Sequence, residues 1–147
     1  MRRTAPVAGA LLAIYCLGLL FVLFWPSSDR QAAAVVWLGH VLSHLGAPDK
    51  FVVFSRLEIL LNVAIIAPVT FLATFVRPSY SWRDWTAYGF CLACAVELLQ
   101  GLLLPARHAQ FSDVVANTLG ALLGALVGAG LGGWLARRGS GMRTPHR

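Results

Sequence analysis

Four long apolar runs, each with at most one charged residue, restrict the fold of this chain more than any other feature. They cover residues 6–25, 57–76, 85–104 and 111–135. A helix needs roughly 20 residues to cross the ~30 Å hydrocarbon core of a bilayer. Only 12% of the residues are charged, whereas 58% are hydrophobic. The sequence therefore predicts an all-α membrane protein built as a bundle of four transmembrane helices.

The segment between the first two runs, residues 26–56, contains the stretch AAAVVWLGHVLSHLG. This pattern predicts a short connecting helix that lies at the membrane interface or tucks back into the protein. The start of the chain also resembles a signal peptide, because Arg2 and Arg3 precede an apolar stretch. The apolar region of a signal peptide is about 7–15 residues long, however, and the first run is longer. We therefore expect a retained first helix.

The distribution of lysine and arginine predicts the orientation of the bundle. If both termini are cytoplasmic, eight of the twelve lie on the cytoplasmic side, namely Arg2, Arg3, Arg77, Arg83, Arg137, Arg138, Arg143 and Arg147. The other side then holds Arg30, Lys50, Arg56 and Arg107. Because cytoplasmic loops carry an excess of lysine and arginine, this asymmetry favours cytoplasmic N- and C-termini, with residues 137–147 as a basic cytoplasmic tail. The net charge of +6 is thus a topology signal, and no nucleic-acid partner is expected.

Polar side chains inside the spans form one layer in their outer halves. The second and fourth spans begin on the outside and the third ends there, so their polar residues meet at the same depth. An ionised group in hydrocarbon costs at least ~2.5–3.5 kcal/mol, and such groups usually face a protein interior or a wet cavity. We expect an outward-facing pocket whose ligand-binding residues are Arg56, Glu58, Asn62, Glu97, Gln100, Arg107, Asp113 and Asn117. The alternative is a hydrogen-bonded clamp that joins three helices.

Glycines continue the polar face of the fourth span. Asp113 and Asn117 are four residues apart, and the same face continues through Gly120, Gly124 and Gly128. Small residues at this spacing let a second helix approach closely. They predict close helix packing, either within the chain or in a homodimer formed through the glycine face.

Three blocks of sequence resemble the VanZ-like family of small bacterial membrane proteins. The first is LNVAIIAPVT, with Asn62 and Pro68, and the second is VELLQ, with Glu97 and Gln100. The third, the most specific, consists of Arg107, Asp113-Val114, Asn117-Thr118, Gly120 and Gly124. The chain departs from the family at Thr70, where glycine is common, and at Gln110 and Ser112, where acids are common. By this resemblance, residues 1–136 form a VanZ-like transmembrane domain with its core motifs in 57–135.

The resemblance implies a multi-pass protein of the bacterial cytoplasmic (inner) membrane with a role in the cell envelope. The family is named for a protein associated with resistance to the glycopeptide antibiotic teicoplanin. For this chain we expect binding of an amphiphilic envelope lipid or a glycopeptide-related ligand. One alternative is an intramembrane enzyme that uses Glu97 and Asp113 as acid and base on a lipid-linked substrate. Another is a small proton-coupled transporter.

Neither a metal nor a cofactor is expected. His40 and His44 have a spacing that can bind zinc, but no acid follows His40, and the polar edge of an interfacial helix accounts for both. Cys91 and Cys94 form a CxxC within an apolar span, where cysteine behaves as a small hydrophobic residue.

Overall fold

The computed structural model describes residues 4–25, 29–104 and 110–140. The described residues form five α-helices, a short 3-10 helix at Asp49–Phe51, and no strand. The helices are α1 (Thr4–Leu23), α2 (Asp29–His44), α3 (Phe54–Val76), α4 (Trp82–Leu103) and α5 (Phe111–Ser140).

Four of these helices, α1, α3, α4 and α5, are long and apolar enough to cross a membrane. The predicted four-span helical bundle is therefore confirmed, and α2 is the predicted connecting helix. The helix boundaries differ from the predicted spans by a few residues. The third helix already begins at Phe54, and the fifth continues to Ser140, past the predicted end of the span at 135. Large apolar side chains such as Ile14, Leu102 and Val127 remain exposed on the surface of the bundle, as expected for helices that face lipid.

The centre of the bundle is the contact between α3 and α5. A Cβ atom at Gly120 would lie 2.5 Å from the carbonyl oxygen of Val63, so the two backbones nearly touch there. Further along, the hydroxyl of Thr70 donates a hydrogen bond of 2.8 Å to the carbonyl oxygen of Ala121. A Cβ at Gly124 would overlap atoms of α3, and one at Gly128 would do the same. In this single chain α3 occupies the glycine face, so a homodimer would need a different surface of α5.

The other two spans pack around this pair. On α4, Gly89 faces Ala121 so closely that a Cβ atom there would overlap its methyl group. On α1, the Tyr15 hydroxyl donates a hydrogen bond of 2.8 Å to the carbonyl oxygen of Ile65. The spans alternate in direction, so that α3 and α5 run parallel to each other and antiparallel to α1 and α4. The C-terminal ends of α1 and α4 therefore meet the N-terminal ends of α3 and α5, and we call this end of the bundle the polar end.

The connecting helix α2 lies against α3 at the polar end. Gly39 of α2 faces Leu57, and a Cβ atom at Gly39 would lie 3.2 Å from a methyl group of that leucine. On its other side α2 exposes Val36 and Trp37, with 51% and 66% of their surfaces accessible. A helix with apolar side chains on both sides fits a position in which one side contacts the bundle and the other faces lipid.

Candidate functional site

A cavity of about 370 Å³ lies at the polar end, between all five helices. Six of the eight predicted ligand-binding residues line it, and they come from three different helices. They are Glu58 and Asn62 of α3, Glu97 and Gln100 of α4, and Asp113 and Asn117 of α5. The chain thus brings together side chains that are up to 59 residues apart in sequence, from 58 to 117.

The two central helices are joined at the cavity by a side-chain hydrogen bond. Nδ2 of Asn62 donates to Oδ1 of Asp113 over 3.0 Å. The predicted helical spacing explains why Asp113 faces inwards, since Asp113 lies one turn before Asn117, which is only 8% exposed. This bond is the contact that the clamp hypothesis requires, and it also fixes the position of one carboxylate in the cavity wall.

Glu97 is the most enclosed carboxylate of the cavity, with 7% of its surface exposed. Its Oε2 accepts a hydrogen bond of 2.9 Å from the backbone N–H of Gln110, the residue that precedes α5. The N–H groups of the first turn of a helix and of the residues before it have no partner within the helix, so a carboxylate is a favourable acceptor for them. Glu97 therefore connects the end of α4 to the start of α5.

Two glutamine amides connect the end of α1 to the rest of the site. Gln100, only 6% exposed, donates from Nε2 to the carbonyl oxygen of Leu23 over 2.7 Å. Gln31 of α2 donates to the carbonyl oxygen of Val22 over 3.2 Å. The last four carbonyls of a helix lack partners within that helix, and these two amides satisfy a pair of them. They hold α1 and α2 against the cavity.

A stack of side chains from α1 and α2 lines the cavity, and sequence reasoning did not include it in the site. The rings of Phe21 and Trp25 meet edge to face with their centroids 4.9 Å apart. The guanidinium carbon of Arg30 lies 4.1 Å from the centroid of the Trp25 ring, a cation–π contact. All three side chains line the cavity. The sequence does contain a signal for Arg30. This residue follows the first span, and it is therefore expected on the same side of the membrane as the polar residues of the other three spans.

Two of the eight predicted ligand-binding residues remain, namely Arg56 and Arg107. Arg56 is exposed, does not line the cavity, and donates a hydrogen bond to the carbonyl oxygen of Lys50. The reason is helical geometry, since residues two apart on a helix do not share a face and Arg56 is two residues before Glu58. The prediction for Arg107 falls outside the described residues.

The arrangement combines two kinds of surface. Carboxylates and amides from α3, α4 and α5 can exchange hydrogen bonds with a polar group, and Arg30 can donate to an anionic oxygen. Apolar side chains complete the wall, namely those of Phe21, Val22, Leu23, Ala34, Val35, Leu61, Ile65 and Val96. Such a cavity suits a molecule with a polar part and an apolar part.

The fold and the site together define a class, a small multi-pass membrane protein with a polar cavity at one end of a four-span bundle. Within that class, the chain matches the VanZ/LLP1 family model over residues 12–132, and it belongs to this family. The matched range includes every described residue that lines the cavity. The predicted family resemblance is confirmed. No curated protein and no solved structure matches the chain significantly.

Proposed function

We propose that this protein binds an amphiphilic molecule of the cell envelope in the cavity at the polar end. The observation that carries the proposal is the cavity itself, in which six polar side chains from three spans meet a wall of apolar residues from α1, α2, α3 and α4. Buried polar groups in a membrane are costly, so a polar layer of this extent favours a function beyond helix packing.

The internal hydrogen bonds of the site are compatible with ligand binding. A carboxylate can accept about four hydrogen bonds, so a carboxylate that joins two helices, as Asp113 does through Asn62, can also contact a ligand. The same holds for the enclosed Glu97, which accepts from the Gln110 N–H. Structural clamping and ligand binding can therefore use the same side chains, with the head group of the ligand adding its own donors.

The proposal includes an orientation in which the cavity opens to the outer leaflet of the cytoplasmic membrane and both termini are cytoplasmic. Its support is the positive-inside rule, because eight of the twelve lysine and arginine residues belong to the opposite side. A cysteine at exposed Asp49, near the polar end, should react with a membrane-impermeant thiol reagent in intact cells. A cysteine at exposed Arg83 should react only after lysis. The reverse pattern would contradict the orientation.

The binding proposal is tested by filling the cavity. Val96 lines the cavity, and Val96→Trp should exclude a ligand regardless of its chemistry. Val127 is 60% exposed on the lipid-facing surface, so Val127→Trp is a control with the same change in side-chain volume. Mass spectrometry of the purified proteins should find an amphiphile retained by the wild type and by Val127→Trp but lost from Val96→Trp. Equal retention by all three would contradict the proposal.

A second candidate is an intramembrane acid–base enzyme that acts on a lipid-linked substrate. The observation in its favour is that Glu97 and Asp113 line one cavity in different environments, the first buried and the second partly exposed. Two carboxylates in different environments can divide the roles of acid and base. We would compare envelope lipids, lipid-linked wall precursors and muropeptides in cells without the protein, with it, and with Glu97→Gln. A chemical change that depends on Glu97 and not on exposed Asp49, tested as Asp49→Asn, would favour the enzyme over the binding protein.

We further propose, from the family, a glycopeptide-related ligand and a link to glycopeptide resistance. In this proposal the glycopeptide-related ligand binds in the same cavity. Expression of the wild type should then raise the inhibitory concentration of teicoplanin, and Val96→Trp should abolish that effect while Val127→Trp retains it. An unchanged inhibitory concentration on expression of the wild type would remove glycopeptide resistance from the account and leave the binding proposal to the test above.

A further inference from the structure

Arg30 is the cation that the described part of the chain places at the cavity. It lies in the first turn of α2, on the wall that faces the carboxylates of α3, α4 and α5. Its guanidinium is held over the ring of Trp25, which in turn packs edge to face on Phe21. An aromatic platform of this kind fixes the plane of the guanidinium and leaves its N–H donors free to point sideways.

The donors of Arg30 are available to a ligand. Among the residues that the structure describes, Arg30 forms no salt bridge, and the side chain is exposed at the cavity wall. A guanidinium presents five N–H donors in a planar fork that matches the oxygens of a phosphate or a carboxylate. The neighbouring residue Gln31 is tied to the end of α1, which keeps the first turn of α2, and therefore Arg30, beside the cavity.

The opposite wall of the cavity has the complementary chemistry. Glu58 of α3 is half-buried and lines the cavity, and Glu97 and Asp113 lie on the next two helices. Carboxylate oxygens accept hydrogen bonds, so this wall suits groups that donate them, such as hydroxyls and amines. One cavity thus offers a donor for an anion on one side and acceptors for O–H or N–H groups on the other.

We infer that the amphiphile carries a head group in which a phosphate is joined to a hydroxyl- or amine-bearing substituent, and that Arg30 binds the phosphate. The inference rests on the proposed binding function and specifies its ligand. The phosphate lies against Arg30 at the α2 wall, the substituent reaches the carboxylates, and the acyl or isoprenoid chain contacts apolar residues such as Leu61 and Ile65.

The test uses the purified full-length protein in detergent and lipids that have identical acyl chains and different head groups. Phosphatidylglycerol and phosphatidylethanolamine have both features, phosphatidylcholine has the phosphate without a donor, and diacylglycerol has a hydroxyl without the phosphate. Native mass spectrometry at matched concentrations should rank the first two above the other two. Because hydrogen bonds to charged groups contribute about 1.5–3 kcal/mol, Arg30→Gln should weaken binding of phosphatidylglycerol about tenfold or more and leave diacylglycerol unchanged.

Two further variants separate specific recognition from general attraction between arginine and lipid. Arg83 also lies over a tryptophan ring, 4.9 Å from the centroid of Trp82, but at the opposite end of the bundle. Arg83→Gln should therefore leave the binding of all four lipids unchanged. Arg30→Lys keeps the charge but lacks the fork, and it should bind phosphatidylglycerol at a level between those of the wild type and Arg30→Gln.

Each outcome decides a different part of the inference. Equal binding of phosphatidylglycerol and diacylglycerol, or an equal effect of Arg83→Gln and Arg30→Gln, would overturn the phosphate role of Arg30. Equal binding of phosphatidylcholine and phosphatidylglycerol would overturn the role of the carboxylates. If glycerol phosphate, which has no acyl chain, competes for binding as well as the lipid does, the claim that the ligand is an amphiphile is overturned. If Val96→Trp binds every lipid as well as the wild type does, the proposed function itself fails.

Discussion

Gly124 is the position where the contact between α3 and α5 should be most sensitive to substitution. A Cβ atom there would overlap the carbonyl oxygen of Ala67 and the hydroxyl of Thr70. The carbonyl belongs to the backbone of α3 and cannot rotate away, so Gly124→Ala must push the two helices apart. Gly120 faces a carbonyl oxygen at 2.5 Å and should respond similarly, but Gly128 mainly faces the side chain of Thr74, which can adjust.

The expected loss of stability follows from three contributions. Overpacking a tight contact costs about 1–3 kcal/mol. Separation of the helices also weakens the hydrogen bond from Thr70 to Ala121, which contributes about 0.5–1.5 kcal/mol. Alanine is a better helix former than glycine by up to about 1 kcal/mol, which offsets part of the loss. We expect Gly124→Ala to lower the free energy of unfolding by about 1–3 kcal/mol.

The matched control is Gly130→Ala on the same helix, because a Cβ atom at Gly130 has no neighbour within 4 Å. That variant keeps the gain in helix propensity without the overlap, so its stability should be unchanged or slightly higher. The assay is unfolding in mixed micelles of detergent and sodium dodecyl sulfate, followed by circular dichroism. Equal unfolding curves for the two alanine variants would refute the argument that the glycines exist to let α5 approach α3.

Three further substitutions test other contacts in the same unfolding assay. Tyr15→Phe removes the hydrogen bond between α1 and the carbonyl of Ile65 and should cost about 0.5–1.5 kcal/mol. Thr70→Val keeps the shape of the side chain, removes the second donor to the Ala121 carbonyl, which keeps its bond within α5, and should cost about 0.5–1.5 kcal/mol. Ser81→Ala removes the capping box of α4 and should cost about 0.5–2 kcal/mol.

Thr86→Val is a suitable control for these three variants. The Thr86 hydroxyl bonds only to the carbonyl of Trp82 one turn earlier in the same helix, and the bond is exposed. Its loss should change stability by less than any of the three. If Tyr15→Phe behaves like this control, the bond from Tyr15 does not hold α1 in place, and the packing of α1 must depend on apolar contacts alone.

The four spans could be predicted because long apolar runs with at most one charged residue each have few alternatives to membrane helices. The helix ends were harder, since α3 begins at Phe54 while the apolar run begins at Leu57, after the charge of Arg56. A span predicted from hydropathy ends at a charged residue. The helix itself continues past that residue, because its backbone hydrogen bonds do not depend on the charge of the side chain. The same limit applies at the C-terminal end of α5, which includes Arg137 and Arg138.

The polar part of the site could be predicted from helical spacing, which places Glu97 on the same face as Gln100. The contribution of α1 and α2 could not be predicted, because it depends on how these two helices pack at the cavity. The bonds from Gln31 and Gln100 to carbonyls at the end of α1 determine that packing. Closeness to Glu58 in sequence predicts Arg56 for the site, but the helix separates the two side chains by more than half a turn.

The measurement that tests the central claim most directly is photocrosslinking of the purified protein with a phosphatidylglycerol whose acyl chain carries a diazirine near the glycerol. Peptide mass spectrometry would then locate the adducts. We expect adducts concentrated on cavity-lining Leu61, Ile65 and Val96, and their loss in the presence of excess unlabelled lipid. Adducts spread over exposed lipid-facing residues such as Leu98 and Leu102, and insensitive to competition, would contradict binding in the cavity.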